Sequence, residues 1–256
     1  MRLDQYLVQY HQIESRTKAQ DLISHSKVKI NDRIITKASY EVEEKDLIQI
    51  LENELLKYVS RAGLKLEGAF QHMQSKSKEW QSWNLNGKTV LDIGQSTGGF
   101  TDCCLAWGAQ SVVGLDVGEA QLHSKIKNDT RVQFFENLNI KDVAKNKDFL
   151  VSVPVEGFDV VVCDVSFISL TQVIPHFAQF LKPQGDYILL VKPQFECGAE
   201  NLNKNGIVAN PDVYPSLQIR ITQTAEKFLG QVLDYFESPV SGKDGNREFF
   251  IWGTKN

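Results

Sequence analysis

Beyond Lys57 the chain alternates between short apolar runs of strand length and stretches of helical periodicity, and this alternation limits the fold more than any other feature. Strands are predicted at 89–93, 112–116, 132–135, 160–164 and 187–191, with a helix ahead of them over 62–73. A strand followed by a helix can rejoin its sheet only through a parallel crossover, so the pattern specifies a mostly parallel sheet covered on both faces. Two further apolar runs, 232–236 and 248–252, flank the turn-rich stretch 238–246 and read as a closing hairpin. The expected fold class is α/β, with a seven-stranded mostly parallel sheet. A plain dinucleotide-binding sheet has about six strands and no such hairpin.

The N-terminal stretch follows a different rule. Leu3, Tyr6, Leu7 and Tyr10 recur at helical spacing, and Ser15 offers an N-cap to a second helix over 16–23. The period then becomes alternating: Val28 and Ile30 precede the turn dipeptide Asn31-Asp32, and Ile34, Val42, Ile48 and Ile50 suggest short strands. The reading is a small α+β unit over 1–56, a linker over 57–62 and the sheet domain over 63–256. A chain of 256 residues, 42% of them hydrophobic, can bury one sizeable core and still supply such an accessory unit.

Charge restricts the partners. The net charge is −4, so the chain does not bind nucleic acid through bulk charge, and any such contact must be local. Residues 1–40 supply the candidate region, with seven Lys or Arg against four acids, a local charge of +3. The four cysteines, at 103, 104, 163 and 197, form neither a secreted disulfide framework nor a C-x-x-C pair, which argues against disulfides and metal and for a reduced cytoplasmic setting. The start of the sequence lacks an apolar leader segment, and no run approaches the ~18 apolar residues of a spanning helix. Secretion and stable membrane association are therefore not expected. The oligomeric state is not written in the sequence.

Directly after the first sheet strand stands Asp92-Ile93-Gly94-Gln95-Ser96-Thr97-Gly98-Gly99-Phe100, a glycine-rich strand-to-helix turn at which a ligand can approach the backbone. A dinucleotide loop would carry glycine where Ser96 stands. The same residues spell G-x-S-x-G, the turn that presents a hydrolase serine, but such an enzyme needs a histidine late in the chain and none follows His176. The third reading is a loop for S-adenosylmethionine, which needs no phosphate grip. Asp92 would suit the cofactor's ammonium, Asp116 at the end of the second strand its ribose hydroxyls, and Asn137 its adenine edge. Each acid taken alone is equally well a strand-end cap, and each glycine a turn former.

The fourth strand ends in Cys163-Asp164-Val165-Ser166-Phe167 and the fifth in Val191-Lys192-Pro193-Gln194-Phe195-Glu196, which brings Asp164 and Lys192 to the same carboxyl edge. No Asn/Asp-Pro-Pro-aromatic motif follows the fourth strand, so an amino group is a poor methyl acceptor. A ribose hydroxyl needs a base as it attacks. A desolvated lysine beside another cation has a lowered pKa and can serve, with carboxylates positioning it. Lys65 and Glu248 are the candidate partners, although a lone Lys192 could equally be a solvated strand-end cation.

Five blocks in order resemble the TlyA (hemolysin A) family of ribosomal RNA methyltransferases, relatives of the FtsJ-type 2'-O-methyltransferases. They are Ser60-Arg61-Ala62-Gly63-Leu64-Lys65-Leu66, the loop ending Ser96-Thr97-Gly98-Gly99-Phe100-Thr101-Asp102, the run Asp164 to Leu170, the run Val191 to Glu196, and Gly245-Asn246-Arg247-Glu248. The resemblance covers nearly the whole chain. It implies a Rossmann-like S-adenosylmethionine-dependent methyltransferase fold, a tetrad of Lys65, Asp164, Lys192 and Glu248 with Lys192 as base, and cytidine ribose in ribosomal RNA of the ribosomal subunits as substrate. Residues Arg2-Leu3-Asp4, Ser15 to Ala19 and Val28 to Asn31 are similar to an S4 RNA-binding domain. On that similarity Arg2, Arg16, Lys18, Lys27, Lys29 and Arg61 would meet RNA phosphates. Three departures stand out: Gln95 replaces a small residue, and Ser26 and Asp32 stand where S4 domains usually carry glycine.

Two other functions compete. A membrane-lytic role, suggested by the family's older name, finds neither an apolar 18-mer nor a series of alternating ~10-residue strands. A non-catalytic RNA-binding or ribosome-assembly factor would be favoured by a broken tetrad, and all four positions are filled.

Overall fold

The computed structural model describes residues 1–11, 13–51, 56–242 and 245–256. They fall into two compact units, Met1–Arg61 and Ala62–Asn256.

In the first unit, α1 (Leu3–Tyr10) and α2 (Arg16–Ser24) pack on a three-stranded antiparallel sheet of β1 (Val28–Ile30), β2 (Arg33–Ile34) and β3 (Ile48–Ile50) in the order β2-β1-β3. The N-cap expected at Ser15 is formed, its hydroxyl accepting from Lys18 N at 3.2 Å. Leu3, Leu7, Leu22, Ile23, Val28 and Ile30 build the core. Ser26, Asn31 and Asp32 all take left-handed backbone, with φ of 61°, 48° and 63°. Ser26 and Asp32 are the two positions at which the resemblance predicts glycine, the residue that takes a positive φ at least cost. Val42, predicted in a strand, lies outside the three and instead donates its N–H to Met1 O at 2.9 Å.

The second unit opens with α3 (Ala62–Lys76) and continues as β4 (Thr89–Ile93), α4 (Gly99–Ala106), β5 (Ser111–Leu115), α5 (Ser124–Lys127) and β6 (Val132–Phe135). Then follow α6 (Lys147–Ser152), β7 (Phe158–Cys163), α7 (Leu170–Phe177), β8 (Leu181–Val191), α8 (Val213–Phe228), β9 (Gly230–Glu237) and β10 (Phe249–Lys255). The seven strands run in the order β6-β5-β4-β7-β8-β10-β9, parallel through β8, with β10 antiparallel to both of its neighbours. The expected hairpin is present: β9 and β10 pair, and β10 inserts beside β8.

Consecutive residues Val160 and Val161 in β7, and Val90 and Leu91 in β4, are all fully buried, as strands covered on both faces must be. From β4 the chain winds outward to β5 and β6, then returns to lay β7 and β8 on the other side. The carboxyl ends of β4 and β7 therefore flank the point where winding reverses, which is where open α/β sheets leave a crevice.

Candidate active site

The crevice is shaped by one close approach. Asp164 N donates to Ile93 O at 2.9 Å, tying the exit of β7 to the exit of β4. Gly94 follows with φ +83°, and a Cβ placed on it would lie 2.4 Å from the Asp164 carbonyl oxygen. Only glycine satisfies both the torsion and the space. The turn is anchored on its other side by Gly94 N and Gln95 N, both donating to Leu115 O at 2.9 and 3.1 Å.

A cavity of about 550 Å³ opens beside this turn, within the range of small-molecule sites. Gly94, Ser96 and Asp116 form one wall, Leu138, Asn139 and Ile140 a second, and the run from Asp164 to Ile168 a third. Asp116 is held firmly: its two oxygens accept from Ser96 N at 2.8 Å and Gly118 N at 2.7 Å. Each oxygen keeps a lone pair for a further donor.

Other residues predicted to touch a cofactor do not line the cavity. Asp92 is fully buried under the turn, where Oδ2 accepts from the Thr101 hydroxyl at 2.6 Å and Oδ1 has no hydrogen-bond partner among the described residues. Burial pushes its carboxyl up to about 7, the Thr101 hydrogen bond works against this, and the nearby charges of Asp164 and Asp116 add to the rise. Gln95 is also buried and donates to the Thr101 hydroxyl at 2.9 Å. Gly98 (φ +91°) is the N-cap of α4, Gly99 and Phe100 are buried in its first turn, and the exposed Thr97 contributes its carbonyl to His123 N at 3.2 Å. They shape the turn from behind. Asn137, expected at the adenine edge, has φ +57° and points its backbone N–H at Gly118 O, 3.1 Å away. That left-handed residue redirects the chain, so Asn139 reaches the cavity wall in its place.

The four tetrad candidates form two ion pairs. Lys192 Nζ lies 2.5 Å from Asp164 Oδ1 and donates to Ser166 Oγ at 3.0 Å. Lys65 Nζ, on α3, donates to Glu248 Oε2 at 2.5 Å, with 11% and 4% of the two side chains exposed. Antiparallel register carries the pairs toward each other. Val191 of β8 faces Phe249 of β10, so the next residues outward, Lys192 and Glu248, occupy facing positions at the strand ends. Sequence reading missed the wall residues Val165, Ser166, Phe167 and Ile168 as a site, although they stand directly after Asp164. Phe167 is 90% exposed, takes φ +64° and packs on Phe195 with ring centroids 5.0 Å apart.

In the first unit the basic residues divide. Lys18 is 8% exposed, and its ammonium donates to Glu14 Oε2 at 2.8 Å and to Tyr58 O at 3.0 Å. It stands two positions from exposed Arg16, which turns it to the opposite side of α2. Arg2 forms a two-point bridge to buried Asp4, with contacts of 3.0 and 3.1 Å, and Arg16 adds one at 2.9 Å. Together they hold the Asp4 carboxyl well below the usual range. Arg61 sits 3.9 Å from Asp21. Lys27 and Lys29 are half-buried, Lys29 at the centre of β1 between its two buried neighbours.

Comparison with known proteins follows the same division. The FtsJ-like methyltransferase family matches residues 58–255, and the S4 domain family matches residues 1–48. Hemolysin A of Brachyspira hyodysenteriae is 37% identical over 253 residues, covering 97% of this chain and 98% of its own. The 16S/23S rRNA (cytidine-2'-O)-methyltransferase TlyA of Mycobacterium tuberculosis is 32% identical over 252 residues, covering 98% and 88%. A solved structure from Streptococcus thermophilus, provisionally named a hemolysin, superposes with a TM-score of 0.73 at 31% identity, covering 100% of this chain and 88% of that one. Among the described residues no helix is long and apolar enough to cross a membrane, and no cluster of three or more His, Cys, Asp or Glu could hold a metal. The crevice at the β4/β7 exit, the acid-and-lysine pairs at the strand edge and these matches together place the chain in the FtsJ-like methyltransferase family, in the group that carries an S4 domain ahead of the sheet and includes TlyA and hemolysin A.

Proposed function

We propose that this protein transfers a methyl group from S-adenosylmethionine to the 2'-hydroxyl of a cytidine ribose in ribosomal RNA, with residues 1–56 docking on structured RNA and residues 63–256 carrying the chemistry. The observation that carries the reading is the double position of Asp164: it is a wall of the cavity and also the partner of Lys192. A nucleoside site and a proton-handling group are thereby contiguous.

The cavity residues fit the cofactor. Asp116 has free lone pairs for the two hydroxyls of a ribose, and Leu115, Leu138 and Ile140 offer apolar surface to a purine face. When bound, the cofactor supplies an electrophilic methyl group on a sulfonium. The protein's part is to place a hydroxyl and remove its proton. Lys192 is assigned to accept that proton as the neutral amine, after its own ammonium proton has passed to solvent, with its nitrogen held by Asp164 and Ser166. The Lys65–Glu248 pair sets the strand-edge register beside it. Exposed Phe167 offers a planar surface on which an unstacked base can lie.

On the first unit, Arg16, Lys27 and Lys29 remain as phosphate contacts, with Arg2 and Arg61 as partly neutralised neighbours. A ribosomal substrate puts the reaction in the cytoplasm. The test is incubation of the purified protein with methyl-labelled S-adenosylmethionine and each unmodified ribosomal subunit, followed by mapping of 2'-O-methyl positions. Label on a cytidine ribose is the expected result, and absence of label from both subunits overturns the proposal.

A further inference from the structure

Two loops carry the chemistry proposed above, 164–169 after β7 and 192–196 after β8, and they are joined in three places. At the near end Lys192 meets Asp164 and Ser166. In the middle the Phe167 and Phe195 rings pack together. At the far end stands Glu196, whose side chain is 1% exposed. Its Oε1 accepts from Leu170 N at 2.8 Å and its Oε2 from Ser169 Oγ at 2.6 Å. Ser169 is the N-cap of α7, so the carboxylate sits on the first turn of that helix, where the peptide dipoles favour negative charge. Arg220 of α8 closes the arrangement, donating to Glu196 O at 2.5 Å and approaching Oε2 at 3.4 Å.

The turn between the two ends is short and stiff. Residues Pro193–Phe195 form a single 3-10 turn, Phe195 N donates to Lys192 O at 2.9 Å, and Glu196 N donates to Pro193 O at 3.0 Å. Lys192 at one end of this turn therefore cannot shift without moving Glu196 at the other. The facing loop contains Phe167 at φ +64°, a torsion costly for an aromatic residue, which persists only where its surroundings fix it.

We infer that Glu196 is a positioning residue for methyl transfer: by fastening the Lys192 turn to the Ser169–Leu170 helix start, it holds the Lys192 side-chain nitrogen against Asp164 and Ser166. The inference rests on the reading of Lys192 as the group that handles the hydroxyl proton. It assigns a task to a residue that is buried, makes no contact with the cavity and takes no part in the reaction itself.

The test measures single-turnover methyl transfer to ribosomal subunits, cofactor affinity and the pH–rate profile for the unchanged protein and for Glu196→Ala, Glu196→Gln and Ser169→Ala. Failure of the unchanged protein to label RNA would count against the proposed function instead. Given labelling, Glu196→Ala is expected to lower the transfer rate on the order of tenfold or more and to displace the pH–rate profile, with cofactor affinity and RNA KM within about threefold. Glu196→Gln, whose amide can still accept from Leu170 N and bond Ser169, is expected to restore most of the rate. Ser169→Ala, which removes one of the carboxylate's bonds together with the N-cap of α7 and keeps the carboxylate, should fall between and serves as the readout if Glu196→Ala does not fold. Rates within twofold of the unchanged protein with an unmoved pH profile, in Glu196→Ala or in its substitute, overturn the inference; so does a Glu196→Gln variant as impaired as Glu196→Ala.

Discussion

Asp164 Oδ1 stands 2.5 Å from Lys192 Nζ while the Asp164 backbone N–H is bonded to Ile93, the residue that opens the glycine turn. One residue thus couples the wall of a nucleoside-sized cavity to the lysine nitrogen that would handle a proton. The coupling depends on how closely β4 and β7 approach at their carboxyl ends, and that approach depends on a missing side chain.

Gly94→Ala tests this approach. Alanine must hold φ near +83° and put a methyl carbon 2.4 Å from the Asp164 carbonyl oxygen, so the β7 exit has to move. The expected effect is a loss of about 2 kcal/mol or more in stability, together with at least ~10-fold weaker S-adenosylmethionine binding, read by chemical denaturation and calorimetry. A variant that binds the cofactor normally would show that the contact is unimportant.

Breaking the second pair should cost more than removing it. Lys65 and Glu248 are both nearly buried, and deleting one partner strands the other charge. Lys65→Met is expected to destabilise the protein by about 3 kcal/mol, and Lys65→Met combined with Glu248→Gln to recover more than half of that. Additive losses would contradict a coupled buried pair.

Asp92 makes stability depend on pH in an unusual direction. Its folded-state carboxyl is pushed up to about 7 by burial, whereas in the unfolded chain it titrates near 3.9. The folded state therefore binds this proton more tightly, and the group's contribution is fully present below about pH 4 and is lost as pH rises through about 7. Asp92→Asn removes the dependence. Between pH 5 and 8 the melting temperature of the unchanged protein should fall relative to that of the variant, and parallel curves would contradict the assignment.

Lys18 and Lys29 lie close in sequence but differ in burial, and different effects are expected of them. Lys29→Ala should weaken RNA binding across sequences and reduce the salt slope of log K by about 1. Lys18→Ala should lower the melting temperature of the N-terminal unit, because it removes one partner of Glu14 and one of the Tyr58 carbonyl, and should leave the salt slope unchanged.

Much of this architecture is legible in the sequence because its signals are local. The apolar runs at 89–93 and 132–135 are strands with those same ends, and Ser15 caps its helix as its hydroxyl allows. Where placement departs from the expectation the cause is shared: side-chain direction is set by tertiary surroundings. Asn137 stood at a plausible distance past β6, but its own positive φ turns the chain and hands the wall to Asn139. Asp92 ends a strand in the right place, yet Thr101 of α4 packs over it and closes it off. Lys18 carries the same charge as Arg16 but falls on the inner side of α2. Glu196 lay within a recognised block, but nothing in the sequence shows that its partners are Ser169, Leu170 and Arg220.

The central claim is that Lys192 acts on the hydroxyl proton and has no part in holding the cofactor. Single-turnover transfer by Lys192→Ala, measured beside its affinity for S-adenosylmethionine, tests it most directly. The expected rate is at least ~10²-fold below that of the unchanged protein, with cofactor affinity within about threefold. Full transfer by that variant, or a loss of rate explained entirely by lost cofactor binding, would contradict it.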